Sequence, residues 1–269
     1  MKELSVLLIT WNSEQYVQSC LNSLLNAIEE VDYEVIMVDN GSTDQTLTIL
    51  ETYVSERISL YRNPQNLGVA KARNRGLRLA TGRFIWILDI DTIIERSAWT
   101  GMSAFMNTHP DCGICGCKLY NSLGQVQESC RHYPTARYKL FNILHALLKP
   151  IPFLKQLDRQ IVRLNESQFY HTQIARNEPF EVEYVIGACQ LIRREVVEDI
   201  GLLDEHIFYG PEDADYCLRA NRTGWRVYYL PNYEFQHDYQ QLTNKRFLSK
   251  MSWLHLKALL YFFIKHRRF

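Results

Sequence analysis

Arg83 to Thr92 reads "RFIWILDIDT", an apolar run from Phe84 to Leu88 that stops at Asp89, Ile90 and Asp91. The apolar residues predict a short strand pushed into a core, and the acids predict that its end is where charge is wanted. In a strand, residues i and i+2 share a face and lie about 6.6 Å apart. Two carboxylates that close repel unless a cation or hydrogen-bond donors sit between them. A hard divalent ion such as Mg²⁺ or Mn²⁺ suits oxygen ligands and commonly bridges to phosphate. The plainer alternative is a strand end followed by the approach to a helix.

The sequence on either side of this stretch alternates between strand and helix periods. "LSVLLIT" (Leu4 to Thr10) and "YEVIMVDN" (Tyr33 to Asn40) are apolar runs of buried-strand type, and "ISLYRN" is a shorter one. Between the first two, Val17, Cys20, Leu21, Leu24, Leu25 and Ile28 recur at helical spacing. Asn12 is placed to cap that helix, with Gln15 to close a capping box. "GSTDQTLTILETYV" reads as a polar turn and a helix, and "NLGVAKARNRGLRLATG" as a loop and a helix closed by Gly82. Short loops between alternating strands and helices imply an α/β fold with a mostly parallel sheet covered on both faces. In such sheets ligands bind beyond the carboxyl ends of the strands, where Asp39 and Asp91 both fall.

The chain has 269 residues, 46% hydrophobic and 22% charged, enough for a full core. Thirty basic residues balance thirty acidic ones, which argues neither for nor against a polyanionic partner, and because no basic module stands out no nucleic-acid partner is expected. Met1 to Ser5 run straight into strand-like sequence, without the pattern of a secretory signal. Seven cysteines in no disulfide-framework spacing favour a reducing compartment. Cys112, Cys115, Cys117 and Cys130 raise a zinc reading, but "GICGCKLY" is better read as a strand with small apolar thiols. The longest apolar stretch, Leu256 to Ile264, is far short of the ~20 residues of a membrane span.

From Asn121 to Glu181 the rhythm is lost. Helical pieces are expected around Tyr138 to Leu148 and Phe153 to Leu164, as an excursion from the core. Strand and helix return in "FEVEYVIGACQLIRREVVEDIG", and "GWRVYYLPNYEFQHDY" reads as a strand with an extension. From Asn244 onward a helix is expected, with Phe247, Met251, Leu254, Ala258 and Phe262 on one face and Lys265, His266, Arg267 and Arg268 at its end. It packs on the core, or else rests on an anionic bilayer near a lipid-linked acceptor.

Further acids draw attention. In "VDNGSTD", Asn40 to Asp44 make sense as a turn into a helix, with Ser42 or Thr43 as its cap, which leaves Asp39 unexplained. A carboxylate there could accept the imino hydrogen of a uracil or thymine ring. In "GPEDADYCLR", Glu212, Asp213 and Asp215 either favour a helix N-terminus or supply a general base for a hydroxyl. His237 in "EFQHDY" could ligate a metal through a neutral imidazole.

Taken together, these segments resemble glycosyltransferase family 2, of the GT-A fold, and most closely its bacterial rhamnosyltransferase-like branch. The likeness runs through "LLITWNSEQYVQSCLNSLL", "EVIMVDNGSTDQT", "NPQNLGVAKARNRGLRLATGRFIWILDIDT", "GACQLIRREVVEDIGLLDE" and "YGPEDADYCLRANRTGWRVYYLP" to the trailing His237. The branch usually reads Asn-Pro-Asp-Thr where this chain has Asp89-Ile90-Asp91-Thr92.

The resemblance implies a Rossmann-like sheet, a small acceptor-side subdomain and a C-terminal helix. Residues 1–240 would form one catalytic domain: a nucleotide-binding half over 1–120, an irregular helical insertion over 121–180 and an acceptor half over 181–240. Residues 241–269 would be a basic C-terminal helix. Thr10, Trp11 and Asn12 would line the nucleotide pocket, and Asp39 would contact the base. Lys71 and Arg73 would sit near base or diphosphate, and Asp89 at the ribose. Asp91, with Asp89 and His237, would hold Mn²⁺ or Mg²⁺. Gly187 and Ala188 would form a small-residue loop beneath the donor sugar. Glu212 and Asp213 would be the acidic pair, with Asp213 the base.

The implied reaction is inverting transfer from a nucleotide-diphosphate sugar, UDP- or dTDP-linked, to a hydroxyl of a glycan or lipid-linked saccharide in cell-surface polysaccharide synthesis. It would take place in the cytoplasm, peripheral to the inner face of the membrane. The alternatives are a polyprenyl-phosphate sugar synthase and a non-catalytic nucleotide-sugar or glycan-binding domain.

Overall fold

The apolar runs become the centre of one sheet. This computed structural model describes residues 1–150, 154–175, 177–238 and 250–267, without the side chains of 142, 143, 146, 147 and 250. Strands β1 (Leu4–Thr10), β2 (Tyr33–Asp39), β3 (Ile58–Arg62) and β4 (Phe84–Asp89) lie side by side in the order β3-β2-β1-β4, all parallel. Leu4, Val6 and Leu8 of β1 face one apolar layer and Leu7 the other, so both faces are sealed. Each such side chain, once buried, contributes about 1.5–3 kcal/mol, which makes these strands a rigid platform.

Helices α1 (Glu14–Ala27) and α4 (Arg96–Thr108) cover one face, and α3 (Val69–Leu77) the other. The short α2 (Thr46–Glu51) packs beside α1. The start of α1 differs from expectation. Its N-cap is Ser13, with no side-chain cap hydrogen bond. Asn12 instead takes a positive φ of 49° and accepts a hydrogen bond from the Thr43 amide at 2.8 Å, tying the β1 and β2 loops together. In the β2 loop, Asp44 rather than Ser42 or Thr43 accepts the Thr46 amide. α3 also ends sooner than expected, at Leu77. Gly82 is required elsewhere, because a Cβ there would run into the backbone of Leu4 and Ser5.

Beyond β4 the sheet becomes mixed. Its order continues β11 (Cys189–Arg193), β6 (Cys112–Tyr120), β12 (Arg226–His237), β5 (Thr92–Ile93), with β11 antiparallel to both neighbours and β12 parallel to β6. β12 loses register between Leu230 and Glu234, around Pro231, then realigns antiparallel to β5 with His237 opposite Thr92. Cys115 and Cys117 fill the core, and all seven thiols are free and buried.

The segment without rhythm contains β7 (Val126–Gln127), β8 (Cys130–Arg131), helices α5 (Ala136–Leu148), α6 (Lys155–Glu166) and α7 (His171–Ile174), and β9 (Phe180–Glu181). β8 pairs with β10 (Tyr184–Val185) as a separate ribbon. The chain then forms β11, α8 (Arg194–Ile200), α9 (Glu212–Arg222) and β12.

Helix α10 (Lys250–His266) seats Ala258, Leu259, Phe262 and Phe263 on the core. Its Lys265 and His266 reach the fully buried Asp215 of α9 at 2.6 and 2.8 Å. The expected helix start at Asn244, Phe247, Arg268 and the Phe153 start of the second helical piece lie outside the described residues.

Candidate active site

β1, β2 and β4 all end at one edge, and a cleft of about 180 Å³ opens above it. Thr10, Trp11, Asn40, Asp89 and Asp91 line it from the sheet side. Phe208, Tyr209, His237 and Met251 line it from the later part of the chain. Trp11 is 41% exposed at the cleft, where an indole ring can offer surface for stacking.

Asp89 and Asp91 do not share a strand face as expected. β4 stops at Asp89, and Ile90–Asp91 form the turn into β5. The turn still brings the acids together, and the β5–β12 pairing adds His237. Ligating atoms of all three lie within 4.8 Å of one another. His237 Nε2 sits 3.3 Å from Asp91 Oδ1 and 4.0 Å from Asp89 Oδ2.

The other ring nitrogen, Nδ1, is 2.8 Å from Gln127 Oε1, an acceptor only. Gln127 Nε2 donates to the His237 carbonyl at 2.7 Å, which fixes the amide orientation. Nδ1 therefore carries a hydrogen, and Nε2 faces the acids, where it donates to Asp91 when the ring is protonated and can ligate a metal when it is not.

Burial pushes the Asp91 carboxyl up, the charge of Asp89 adds to this, and the His237 hydrogen bond opposes it. Burial alone would lower the imidazole of His237, but the hydrogen bond and charge of Asp91 raise it overall. Two crowded carboxylates and one oriented imidazole nitrogen form a donor set that fits a divalent Mg²⁺- or Mn²⁺-type ion.

Behind this cluster lies Arg73, only 2% exposed. Its Nη2 donates to Asp89 Oδ1 and to the Gly187 carbonyl, both at 2.8 Å, and its Nη1 to Glu212 Oε1 at 3.2 Å. Breaking a buried pair of this kind costs roughly 3–5 kcal/mol, so Arg73 is a junction of the site before it is a ligand for anything. Gly187 is required by the same junction, since a Cβ there would strike the Arg73 guanidinium.

Glu212 and Asp213 open α9. Asp213 Oδ1 accepts the Ala214 amide at 2.7 Å, and Oδ2 accepts the Gly187 amide at 3.1 Å. Its carboxyl is pushed up by burial, against the pull of those amides. Burial, and then the charge of Asp213, push Glu212 up to about 7 despite Arg73. Among the described residues, Glu212 Oε2 and Arg73 Nε find no hydrogen-bond partner. Two adjacent acids that disfavour double ionisation, with Asp213 partly exposed, are arranged for proton transfer.

The sequence profile described as Glycosyl transferase family 2 matches residues 5–201, which is most of the chain. The chain belongs to glycosyltransferase family 2. The poly(ribitol-phosphate) beta-N-acetylglucosaminyltransferase TarS of Staphylococcus aureus is 36% identical over 120 residues, covering 40% of this chain and 20% of that relative. The chain thus matches only a fifth of that larger protein. The dTDP-rhamnosyl transferase RfbF of Shigella flexneri is 24% identical over 234 residues, covering 86% of this chain and 67% of RfbF, in keeping with the rhamnosyltransferase-like resemblance.

Solved structures agree on the GT-A fold. TarS 1–349 with UDP-GlcNAc superposes with TM-score 0.58 at 22% identity, over 92% of this chain and 62% of that one. GalNAc-T7 with UDP, GalNAc and Mn²⁺ gives TM-score 0.64 at 14% identity, over 89% and 44%.

Within this family 2 glycosyltransferase, Thr10, Trp11, Asp89, Asp91 and His237 meet at one cleft, and Arg73, Gly187, Glu212 and Asp213 adjoin it. Other expected residues are placed differently. Lys71 is exposed on α3, with its charge felt by Glu205. Ala188 turns its side chain into the core and offers its carbonyl to the Asp89 amide at 3.3 Å.

Asp39 is buried with four hydrogen bonds. Thr10 and Ser42 hydroxyls reach Oδ1 at 3.0 and 2.5 Å, and the Gly41 and Ser42 amides reach Oδ2 at 3.2 and 3.0 Å. Sequence reasoning missed Gln127, a single polar residue in an irregular stretch that carries no pattern. It also missed Asn40, whose side chain pins Asn63, Asn66 and Leu67 beneath the cleft.

Proposed function

We propose that this protein is an inverting glycosyltransferase that moves a sugar from a nucleotide diphosphate, UDP- or dTDP-linked, to a hydroxyl of a glycan or lipid-linked saccharide in cell-surface polysaccharide synthesis. The observation that carries this reading is the convergence, from distant parts of the chain, of Asp89, Asp91 and His237 at one cleft, with Arg73 linking Asp89 to Glu212 behind it. Solved neighbours that hold UDP-GlcNAc, or UDP with Mn²⁺, support the donor class.

Trp11 stacks on the base. Asp39 Oδ1 takes its imino hydrogen once the Thr10 or Ser42 hydroxyl turns away, while the two backbone amides continue to hold Oδ2. Asp89 serves the ribose with the oxygen not held by Arg73. Asp91 and His237, with Asp89, would hold a divalent ion, which when bound would supply Lewis-acid stabilisation of the departing diphosphate. Asp213 takes the proton of the acceptor hydroxyl as that oxygen bonds to the anomeric carbon and the carbon–phosphate-oxygen bond breaks on the opposite face. The Ala214 and Gly187 amides orient Asp213 for this step. Glu212 fixes Arg73 and raises the proton affinity of its neighbour.

The reaction takes place at the inner face of a membrane. No helix among the described residues is long and apolar enough to cross one. The outer face of α10, however, exposes Trp253 (68%), Leu256, Leu260 and Ile264 (68%) in one stripe, beside exposed Lys257 and Arg267. Residues 250–267 contain no acid, so the stripe suits an anionic bilayer. Co-sedimentation with anionic but not neutral vesicles is expected, and equal recovery with both would refute it.

A panel of nucleotide sugars tests the whole reading, by thermal shift and by nucleotide release with and without Mn²⁺. At least one donor should stabilise the protein and turn over only with metal. Silence across UDP, dTDP and GDP donors would sink it.

A further inference from the structure

Glu212 and Asp213 sit on the first turn of α9. A helix holds its first turn least, because the leading amides have no partner within the helix. The Pro211 carbonyl accepts the Asp215 amide at 3.0 Å, so the ladder of α9 takes hold only at Asp215. Residues two apart on a helix point about 200° apart. Asp215 is therefore turned away from the side on which Asp213 meets the Gly187 amide.

The side chain of Asp215 is fully buried, and the end of α10 grips it. Its Oδ1 accepts from Lys265 Nζ at 2.6 Å and from His266 Nε2 at 2.8 Å. Arg222 donates to the other nitrogen of that imidazole at 3.0 Å, so Nε2 carries the hydrogen. Arg219 Nε donates to Oδ2 at 2.9 Å. Lys265 also has a second acid. The same ammonium lies 2.7 Å from Asp204 Oδ2, which the Tyr261 hydroxyl of α10 reaches at 2.8 Å.

Asp204 and Asp215 bracket one stretch of chain. It contains Phe208 and Tyr209 of the cleft wall and then the acidic pair. Inside the bracket, the Phe208 carbonyl accepts the Val69 amide of α3 at 2.8 Å, and His255 of α10 approaches the Tyr209 carbonyl through Nδ1 at 3.3 Å. The family match ends at residue 201, so both sides of the α10 contact lie beyond it. Ala258, Leu259, Phe262 and Phe263 already seat α10 by apolar burial. Carboxylates buried to the extent of Asp215 and Asp204, whose side chains are 0% and 13% exposed, add little stability over apolar packing when paired, but the pairing fixes their geometry.

We propose that Lys265 is a positioning residue for the acidic pair. By bridging Asp204 and Asp215 it fixes both ends of the stretch that carries Glu212 and Asp213, and so holds Asp213 where it takes the acceptor proton. The proposal rests on the glycosyltransferase reading and gives α10 a part in that reaction.

The test compares Lys265→Met with wild type, both as the full chain. The apolar seat keeps α10 docked in the variant. Phe208 keeps its bond to α3 and Tyr209 its contact with His255, so donor KM and nucleotide affinity should not change. The kcat should fall by roughly 10–100-fold, the cost of displacing a reacting group by about 1 Å. Hydrogen exchange without donor or metal gives a second readout. Amides at the start of α9 should exchange faster in the variant, while those of β1 match wild type.

A wild-type kcat in Lys265→Met, or kcat and nucleotide affinity lost in the same proportion, overturns the proposal. So does unchanged exchange at the start of α9, or faster exchange that spreads to β1. A wild type that turns over no donor sinks the glycosyltransferase reading instead, and the exchange comparison still shows whether Lys265 holds the start of α9.

Discussion

Asp39 at the end of β2 and Asp213 at the start of α9 are both largely buried acids, yet their surroundings differ in kind. Asp39 accepts four hydrogen bonds, two on each oxygen. Asp213 accepts one backbone amide on each oxygen, and its neighbour Glu212 keeps one oxygen without a partner among the described residues. Asp215, two residues further along α9, sharpens the contrast. Lys265, His266 and Arg219 surround it, and although burial works against them, they hold its carboxyl below the usual range. A carboxylate with its acceptor sites filled builds shape, whereas one left short of donors retains proton affinity for a reaction.

The largest effect should come from the under-satisfied acid. Asp213→Asn keeps the size and the acceptor oxygen but cannot take a proton. Transfer should fall by roughly 10²–10⁴-fold, the usual contribution of a positioned general base. Nucleotide affinity should change little, since among the described residues the hydrogen bonds of Asp213 run only to the Gly187 and Ala214 amides. Single-turnover transfer set beside nucleotide titration makes the check, and equal loss of both would move Asp213 to the structural class where Asp215 belongs.

The same contrast predicts a pH profile. The base must be ionised to act, and burial raises Asp213 while Glu212 is pushed to about 7. Activity should therefore fall as pH drops through a midpoint above the ordinary carboxylate range, by up to tenfold per pH unit on the acid limb. A profile flat from pH 8 down to 5 would show that the pair does not gate the reaction.

Gln127→Leu probes the third acidic centre at one remove. Losing the Oε1 acceptor frees the His237 ring to rotate or change tautomer, so Mn²⁺ affinity should weaken by about 10–100-fold. Manganese EPR titration reads this without turnover. Unchanged affinity would mean that Asp89 and Asp91 alone set metal binding.

These centres were unequally legible in the sequence. The apolar runs of β1, β2 and β4 announced the parallel sheet because each is long enough, and apolar enough, to admit only a buried strand. Asp91, Asp213 and His237 could be nominated because acids after apolar runs and at helix starts carry a local pattern. What the sequence could not show was contact. The realignment of β12 around Pro231 carries His237 to Asp91, and nothing local to either residue encodes that pairing. Gln127 lies in a stretch without periodicity, so its partner became visible only in three dimensions. The misplaced cap at Asn12 has the same cause, since its oxygen was claimed by Thr43 from another loop.

The smallest expected effect returns to Asp39 and tests whether its four bonds are all equivalent. Oδ2 is held by backbone amides that cannot turn, but Oδ1 is held only by the hydroxyls of Thr10 and Ser42, which can. If the base uses Oδ1, Asp39→Asn should weaken uridine or thymidine diphosphate binding by about tenfold, the scale of one charged hydrogen bond. The melting temperature should also drop, because a neutral amide loses the charge-assisted strength of the bonds that the carboxylate accepts from four donors. A fall in melting temperature with unchanged nucleotide affinity would mean that the hydroxyls never yield. Asp39 would then belong entirely with Asp215, among the acids that build shape.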